Sequence, residues 1–115
     1  MPDTLNPYDR VPYESFPYAQ SHPEHLSVIA TLFGIRARPV TECCVLELGC
    51  ASGGNLIPMA AAFPRSRFVG VDYSSRQVER AQEIVARLGL SNISFVCMQS
   101  NRGQSPISRW HRQTR

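Results

Sequence analysis

Three groups of residues in this chain have the types and spacing for nucleotide chemistry. They are Glu47, the small-residue run Gly49-Cys50-Ala51-Ser52-Gly53-Gly54, and Asp72. The run follows Val45-Leu46-Glu47-Leu48 and leads into Asn55-Leu56-Ile57, so an apolar strand passes through a glycine-rich turn into a helix. Small residues let backbone approach a ligand closely, and a helix N-terminus offers N–H groups. Phe68-Val69-Gly70-Val71-Asp72 then ends a second strand on a carboxylate that can accept from a pair of ribose hydroxyls. Taken singly, the run is a plain strand-to-helix turn, and Asp72 a cap for the next helix. Spaced together, these parts favour a pocket for a nucleotide-like ligand.

The elements that must position these groups are legible in outline. Residues 1–20 carry Pro2, Pro7, Pro12 and Pro17 among Tyr8, Tyr13, Phe16 and Tyr18, a density that predicts an extended arm. Its aromatic rings either pack on the body of the domain or fold over a ligand mouth. A helix starts near Ser21-His22-Pro23-Glu24, with Ser21 or His22 as cap and Leu26, Ile29, Ala30 and Phe33 on one face; Gly34 can end it. Strands are expected at 43–48, 67–71 and 92–98, with helices at 55–63 and from Ser74 to the Gly89 turn. The last helix has Gln77 at the capping-box position and an inward stripe of Val78, Ala81, Val85 and Leu88. This β-α-β-α-β alternation predicts an α/β fold with a parallel sheet in spatial order 3-2-1.

Length and charge bound the rest. The 115 residues allow one small domain, and no apolar run approaches the roughly 20 residues of a membrane span, so no membrane partner is expected. The N-terminus resembles neither a signal nor a transit peptide, which reads as cytoplasmic. The net charge of +3 is uneven: residues 1–98 hold eight Arg against nine acids, whereas 99–115 hold Arg102, Arg109, Arg112 and Arg115 and no acid. Nucleic acid is not the expected partner, because all twelve basic residues are Arg, which suits a GC-rich coding sequence. No metal site is expected either. The four cysteines show no CxxC pair, and Pro23 lies between His22 and His25 with no third ligand near. Cys43, Cys44 and Cys97 read as small hydrophobes in buried strands, in keeping with a reducing compartment.

Glycine turns of this kind serve dinucleotides and S-adenosylmethionine. Glu47-Leu48-Gly49-Cys50-Ala51-Ser52-Gly53 has the form E-x-G-x-A-x-G, and with Gly70-Val71-Asp72-Tyr73-Ser74 it resembles the first two motifs of the class I S-adenosylmethionine-dependent methyltransferases. The acid two places before the first glycine separates them from dinucleotide folds, which normally carry an apolar residue there. The likeness spans residues 8–98. The stretch Tyr13-Glu14-Ser15-Phe16-Pro17-Tyr18-Ala19-Gln20-Ser21-His22-Pro23-Glu24, with Leu48 to Pro58, is similar to a bacterial subgroup that carries a methyltransferase regulatory domain.

The resemblance implies roles. Backbone around Gly49, Cys50, Ala51 and Gly53 would line the methionine and ribose part of S-adenosylmethionine. Glu47 would orient the loop or meet the cofactor's ammonium group, Asp72 would hold the ribose hydroxyls, and Tyr73 would flank the adenine. Ala51 departs from the motif's glycine, and its methyl is accommodated if φ stays negative. The family's sheet has seven strands, and this chain supplies about three, which reads as a truncated Rossmann-like methyltransferase fold: an arm at 1–20, a partial cofactor-binding domain at 21–100 and a basic, disordered tail at 101–115.

The acid that follows the third strand in the family is replaced by Gln99 and Ser100, and no residue here positions a methyl acceptor, so no catalytic residue is assigned. The expected function is that of a cofactor-binding half whose intact relative methylates an unknown acceptor, and which is inactive alone. A dinucleotide-binding oxidoreductase fragment and a non-catalytic interaction module completed by a partner are the alternatives. The open edge of the first strand invites self-association, and the pattern-free arginine-rich ending reads as a truncation of the kind a frameshift near residue 100 produces.

Overall fold

The computed structural model describes residues 6–11 and 13–98; the expected tail and Gln99 and Ser100 lie outside the described residues. Three short apolar strands, β1 (Cys44–Leu48), β2 (Arg67–Asp72) and β3 (Ile93–Cys97), form a parallel sheet in the order β1-β2-β3. This is the expected order seen from the other edge. The register sets Glu47 beside Gly70 and Asp72 beside Cys97, so the ends of all three strands lie at one rim of the sheet.

Alternation along β2 and β3 sorts side chains onto two faces. On one face Phe68, Ile93 and Phe95 meet Leu56, Ile57, Met59 and Ala60 of α3 (Leu56–Ala62), and Val78 and Ala81 of α4 (Ser75–Leu88). On the other, Val69, Val71 and Val96 form a smaller cluster with Leu46 against it. Asn92 stitches the base of the sheet, its Nδ2 donating to the carbonyls of Ala60, Phe63 and Ser66 at 2.9, 3.0 and 3.0 Å.

The α4 helix forms where Ser74 can cap it, its hydroxyl accepting from the Gln77 amide at 3.3 Å, and it ends at Gly89 in the left-handed region (φ 66°). The expected capping box is only half made. The Ser74 amide donates to Asp72 Oδ1 and the Gln77 side chain donates to the Tyr13 carbonyl, so the reciprocal bond is replaced by longer-range ones. The inward stripe stops at Val85, and Leu88 is exposed.

Two expectations fail on the N-terminal side. The arm is not purely extended: α1 (Pro7–Arg10) is a single helical turn, with Pro7 in its first turn where no intrahelical N–H is required, and a 3₁₀ turn follows at Ala19–Ser21. The helix α2 (Pro23–Leu32) begins as expected, with His22 Nδ1 accepting from the Glu24 amide. Its apolar face, however, is uncovered: Leu26, Ile29 and Phe33 are all exposed. The main neighbours of α2 are the 3₁₀ turns at Ala19–Ser21 and Val40–Glu42, and between α2 and β1 lies an open groove lined by Leu26 and Ala30 on one side and Cys44 and Val45 on the other. Cys43, Cys44 and Cys97 are likewise only half-buried.

Candidate functional site

The C-terminal ends of the strands carry a cavity of about 550 Å³. Its floor is the glycine turn and the end of β2, contributed by Gly49, Ala51, Val71 and Asp72. Tyr73, Ser74 and Gln77 follow from the start of α4, Met98 comes from the end of β3, and Tyr8 and Tyr13 reach in from the arm. A glycine turn can lie here because its amides are held by β2: the Gly49 and Cys50 N–H groups both donate to the Val71 carbonyl, at 2.7 and 3.1 Å.

Asp72 is the hub. Its Oδ2 accepts from the Ala51 amide at 2.8 Å and its Oδ1 from the Ser74 amide at 2.9 Å, so one carboxylate aligns the loop and the start of α4. A carboxylate offers about four lone-pair sites, which leaves each oxygen able to accept once more. Ala51 takes φ 49°, the one positive φ outside glycine among the described residues. The negative φ under which the sequence accommodates the Ala51 methyl is therefore not adopted. The Asp72 bond and the tight turn dictate the left-handed geometry, at a cost of roughly 1–2 kcal/mol to an L-residue.

The other motif residues point elsewhere. Cys50 is 2% exposed and belongs to the core; burial, then the charges of Asp72 and Glu47, push its thiol up to about 12. Gly53, at φ 83°, has no room for a side chain, because an added Cβ would lie 2.7 Å from the Phe95 ring and 2.8 Å from Ile57. Gly70 makes room for the same ring, with Phe95 2.6 Å and Cys50 Sγ 2.8 Å from such a Cβ. Packing on Phe95 thus requires these two glycines.

Glu47 stands apart, lining a second cavity of about 310 Å³ with Tyr18, Ser21 and Asn55. Burial raises its carboxyl pKa above the ordinary value, an effect that the Asn55 hydrogen bond partly offsets. The buried Asn55 accepts from the Tyr18 amide at 2.7 Å and donates to Ser21 Oγ at 3.0 Å and to both Glu47 oxygens at 3.4 Å. The amide of Gly54 is occupied as well, donating to Ser15 Oγ at 2.7 Å. One donor of the turn into α3 that the sequence offers to a ligand is therefore taken by the arm.

Of the sequence-derived residues, the structure brings Gly49, Ala51, Asp72 and Tyr73 together around one cavity. It turns Cys50 and Gly53 into the core and sets Glu47 in the neighbouring cleft. Sequence reasoning missed Gln77 and Met98 as lining residues and left the role of Tyr8 and Tyr13 open. The density of tyrosine in the arm was the one available signal. Among the described residues no cluster of His, Cys, Asp or Glu could hold a metal, and no helix is long and apolar enough to cross a membrane.

A parallel α/β sheet with a glycine turn after its first strand and an acid after its second defines the Rossmann-like nucleotide-binding class. Residues 45–108 match the family described as Methyltransferase domain, and the chain belongs to that family. It is 59% identical over 90 residues to protein RP789 of Rickettsia prowazekii, a match covering 78% of this chain and 16% of RP789. It is 41% identical over 88 residues to the tRNA (guanine-N(7)-)-methyltransferase of Chloroflexus aurantiacus, covering 73% and 37% of the two chains. Among solved structures, PKMT2 of Rickettsia typhi in complex with AdoHcy superposes with a TM-score of 0.71 at 30% identity, over 76% of this chain and 17% of that one. The chain thus spans about a sixth to a third of the length of these relatives.

S-adenosylmethionine is the cofactor that this family implies, and the cavity fits it on physical grounds. Its volume lies within the roughly 300–1,000 Å³ of small-molecule sites. Three tyrosines, Val71 and Met98 give its walls apolar faces, and Asp72 keeps acceptor capacity for a hydroxyl pair.

Proposed function

We propose that this chain is the S-adenosylmethionine-binding part of a methyltransferase. The cavity walled by tyrosines above Gly49 and Asp72 carries this reading, since it joins apolar faces for a purine to a carboxylate for ribose. The bound cofactor would supply a sulfonium methyl carbon, open to attack by a nucleophile as the C–S bond breaks and S-adenosylhomocysteine departs. The residues here bind and orient. Asp72 holds the ribose, Tyr73 flanks the adenine, and the Gly49 and Ala51 backbone shapes the floor beside the methionine portion. Glu47 orients the loop through Asn55 or meets the ammonium group through water.

Turnover needs an acceptor aligned with the methyl carbon. In this reading the acceptor is placed by regions that the longer relatives possess beyond the matched length, and the chain alone is inactive. Its N-terminal arm and cofactor-binding body then act as one binding unit in the cytoplasm, with the open edge of β1 available to a partner or a second copy.

Calorimetric titration with S-adenosylhomocysteine tests the reading, with NADH and the Asp72→Ala variant as controls and circular dichroism confirming the fold. Micromolar binding of S-adenosylhomocysteine alone, weakened at least about 30-fold in Asp72→Ala, is the expected result; the factor reflects loss of charge-assisted hydrogen bonds. A folded wild-type chain that binds NADH instead would overturn it in favour of a dinucleotide site. A folded chain that binds neither would leave an interaction module.

A further inference from the structure

Three tyrosine rings, two from the arm and one from the residue after β2, converge on one cavity. Tyr8 and Tyr13 have centroids 6.1 Å apart, and Tyr8 meets Tyr73 edge-on at 6.3 Å. All three remain half or more exposed, or nearly so, at 49%, 71% and 49%. Rings kept for core packing would be covered; these instead present surface to the cavity. Their backbones are tied down with unusual care.

Asn6 donates to the Tyr73 carbonyl at 3.2 Å and accepts from the Tyr8 amide at 3.1 Å. Gln77 holds the Tyr13 carbonyl at 3.0 Å. Asp9, only 5% exposed, accepts from the Ser74 hydroxyl and, at 3.4 Å, from the Arg76 amide, while the Arg76 guanidinium donates to the Asp9 carbonyl at 3.3 Å. A buried carboxylate is costly unless it is bonded in this way. These bonds add nothing to the sheet's core. They fasten the arm to the few residues that follow Asp72.

We infer that Tyr8 and Tyr13 are cofactor-contact residues that stack on the adenosyl moiety, and that Asp9 is the positioning residue that holds Tyr8 in place. The inference rests on the cofactor reading above and extends it from the motif loops to the arm. Adenine offers a π-face to an aromatic ring whatever its substituents, so the contact reads the adenosyl half of the ligand and is indifferent to the methionine half.

The test measures S-adenosylhomocysteine by calorimetry and adenosine by NMR on the full chain, with the fold checked by circular dichroism. Tyr8→Ala and Tyr13→Ala are each expected to weaken both ligands by the same factor, about ten-fold, and the Phe variants to restore binding. Asp9→Ala is expected to weaken both ligands, and Asp9→Asn, which keeps an acceptor for the Ser74 hydroxyl, to recover most of the loss. Should an alanine variant unfold, the wild-type ring resonances decide, since adenosine either shifts Tyr8 and Tyr13 upfield or leaves them unmoved. Wild-type binding that Asp72→Ala removes but the tyrosine variants change by less than two-fold would overturn the inference and leave the cofactor reading standing. Wild-type protein that binds neither ligand would remove both.

Discussion

The two sides of the sheet are built to different standards. Around β2, β3 and α4 the side chains are enclosed: Phe68 is 1% exposed and Val71 fully buried, and α4 is capped at both ends. Around β1 and α2 the same kinds of residue lie open, with Leu48 at 72% and Leu32 and Phe33 at 80%. Strand and helix formation therefore did not depend on cover. Local hydrogen bonding and capping set the elements on both sides, while apolar burial, the larger source of stability, is concentrated on one. The cavity straddles the divide, its floor shared between the turn that follows β1 and the end of β2.

Substitutions sharpen this contrast. Phe95→Ala, on the enclosed side, removes the ring that sits against Gly53 and Gly70 and should cost about 3–5 kcal/mol in urea unfolding. A cost below 1 kcal/mol would show that the core beneath the loop is not where stability resides. The next effect is a pH dependence. The Cys50 thiol stays protonated in the fold up to about 12 but ionises near 9 in the unfolded chain. Stability is therefore unaffected by this group below pH 9 and falls as pH rises from 9 towards 12, by no more than about 1.4 kcal/mol per pH unit. Melting curves at pH 7, 9 and 10.5 should show the fall, and Cys50→Ala should flatten it. Equal slopes in the two proteins would clear Cys50 of the effect.

Ser74→Ala deletes the cap of α4 and the hydroxyl that Asp9 accepts from, and about 1–2 kcal/mol should be lost by the same measurement. Ala51→Gly works in the opposite direction, relieving the positive φ and stabilising by about 1 kcal/mol. A destabilised glycine variant would mean that the methyl contributes packing worth more than the strain. Smallest of all is Leu32→Ser on the open side, expected within about 0.5 kcal/mol of wild type. A larger loss, especially one that grows with protein concentration, would reveal that α2 is covered in solution by another copy.

What could be read from the residues follows the same divide. The three strands and Ser74 and Gly89 as the limits of α4 were legible because each depends on neighbours within a few residues, and Asp72 at the mouth of the glycine turn was legible from the spacing of the two motifs. Ala51 was misjudged because its φ is imposed by a carboxylate 21 positions away. Gln77 looked like half of a capping box, yet it serves Tyr13, 64 positions distant. The helical turn at Pro7–Arg10 was hidden by a proline density that forbids helix interiors but tolerates a first turn. The stripe on α2 was visible as periodicity, but periodicity does not say what a face meets.

The ring of Phe95 bears on how this chain can change over time. It touches the space above both Gly53 and Gly70, so these three positions share a single volume. Homologues that drift at 70 from glycine to alanine should carry a smaller residue at 95, and those with a bulkier residue at 95 should be unable to leave glycine at 53. A ligand-facing loop is in this way bound to a strand position over 40 residues away, and the pair should evolve as one character.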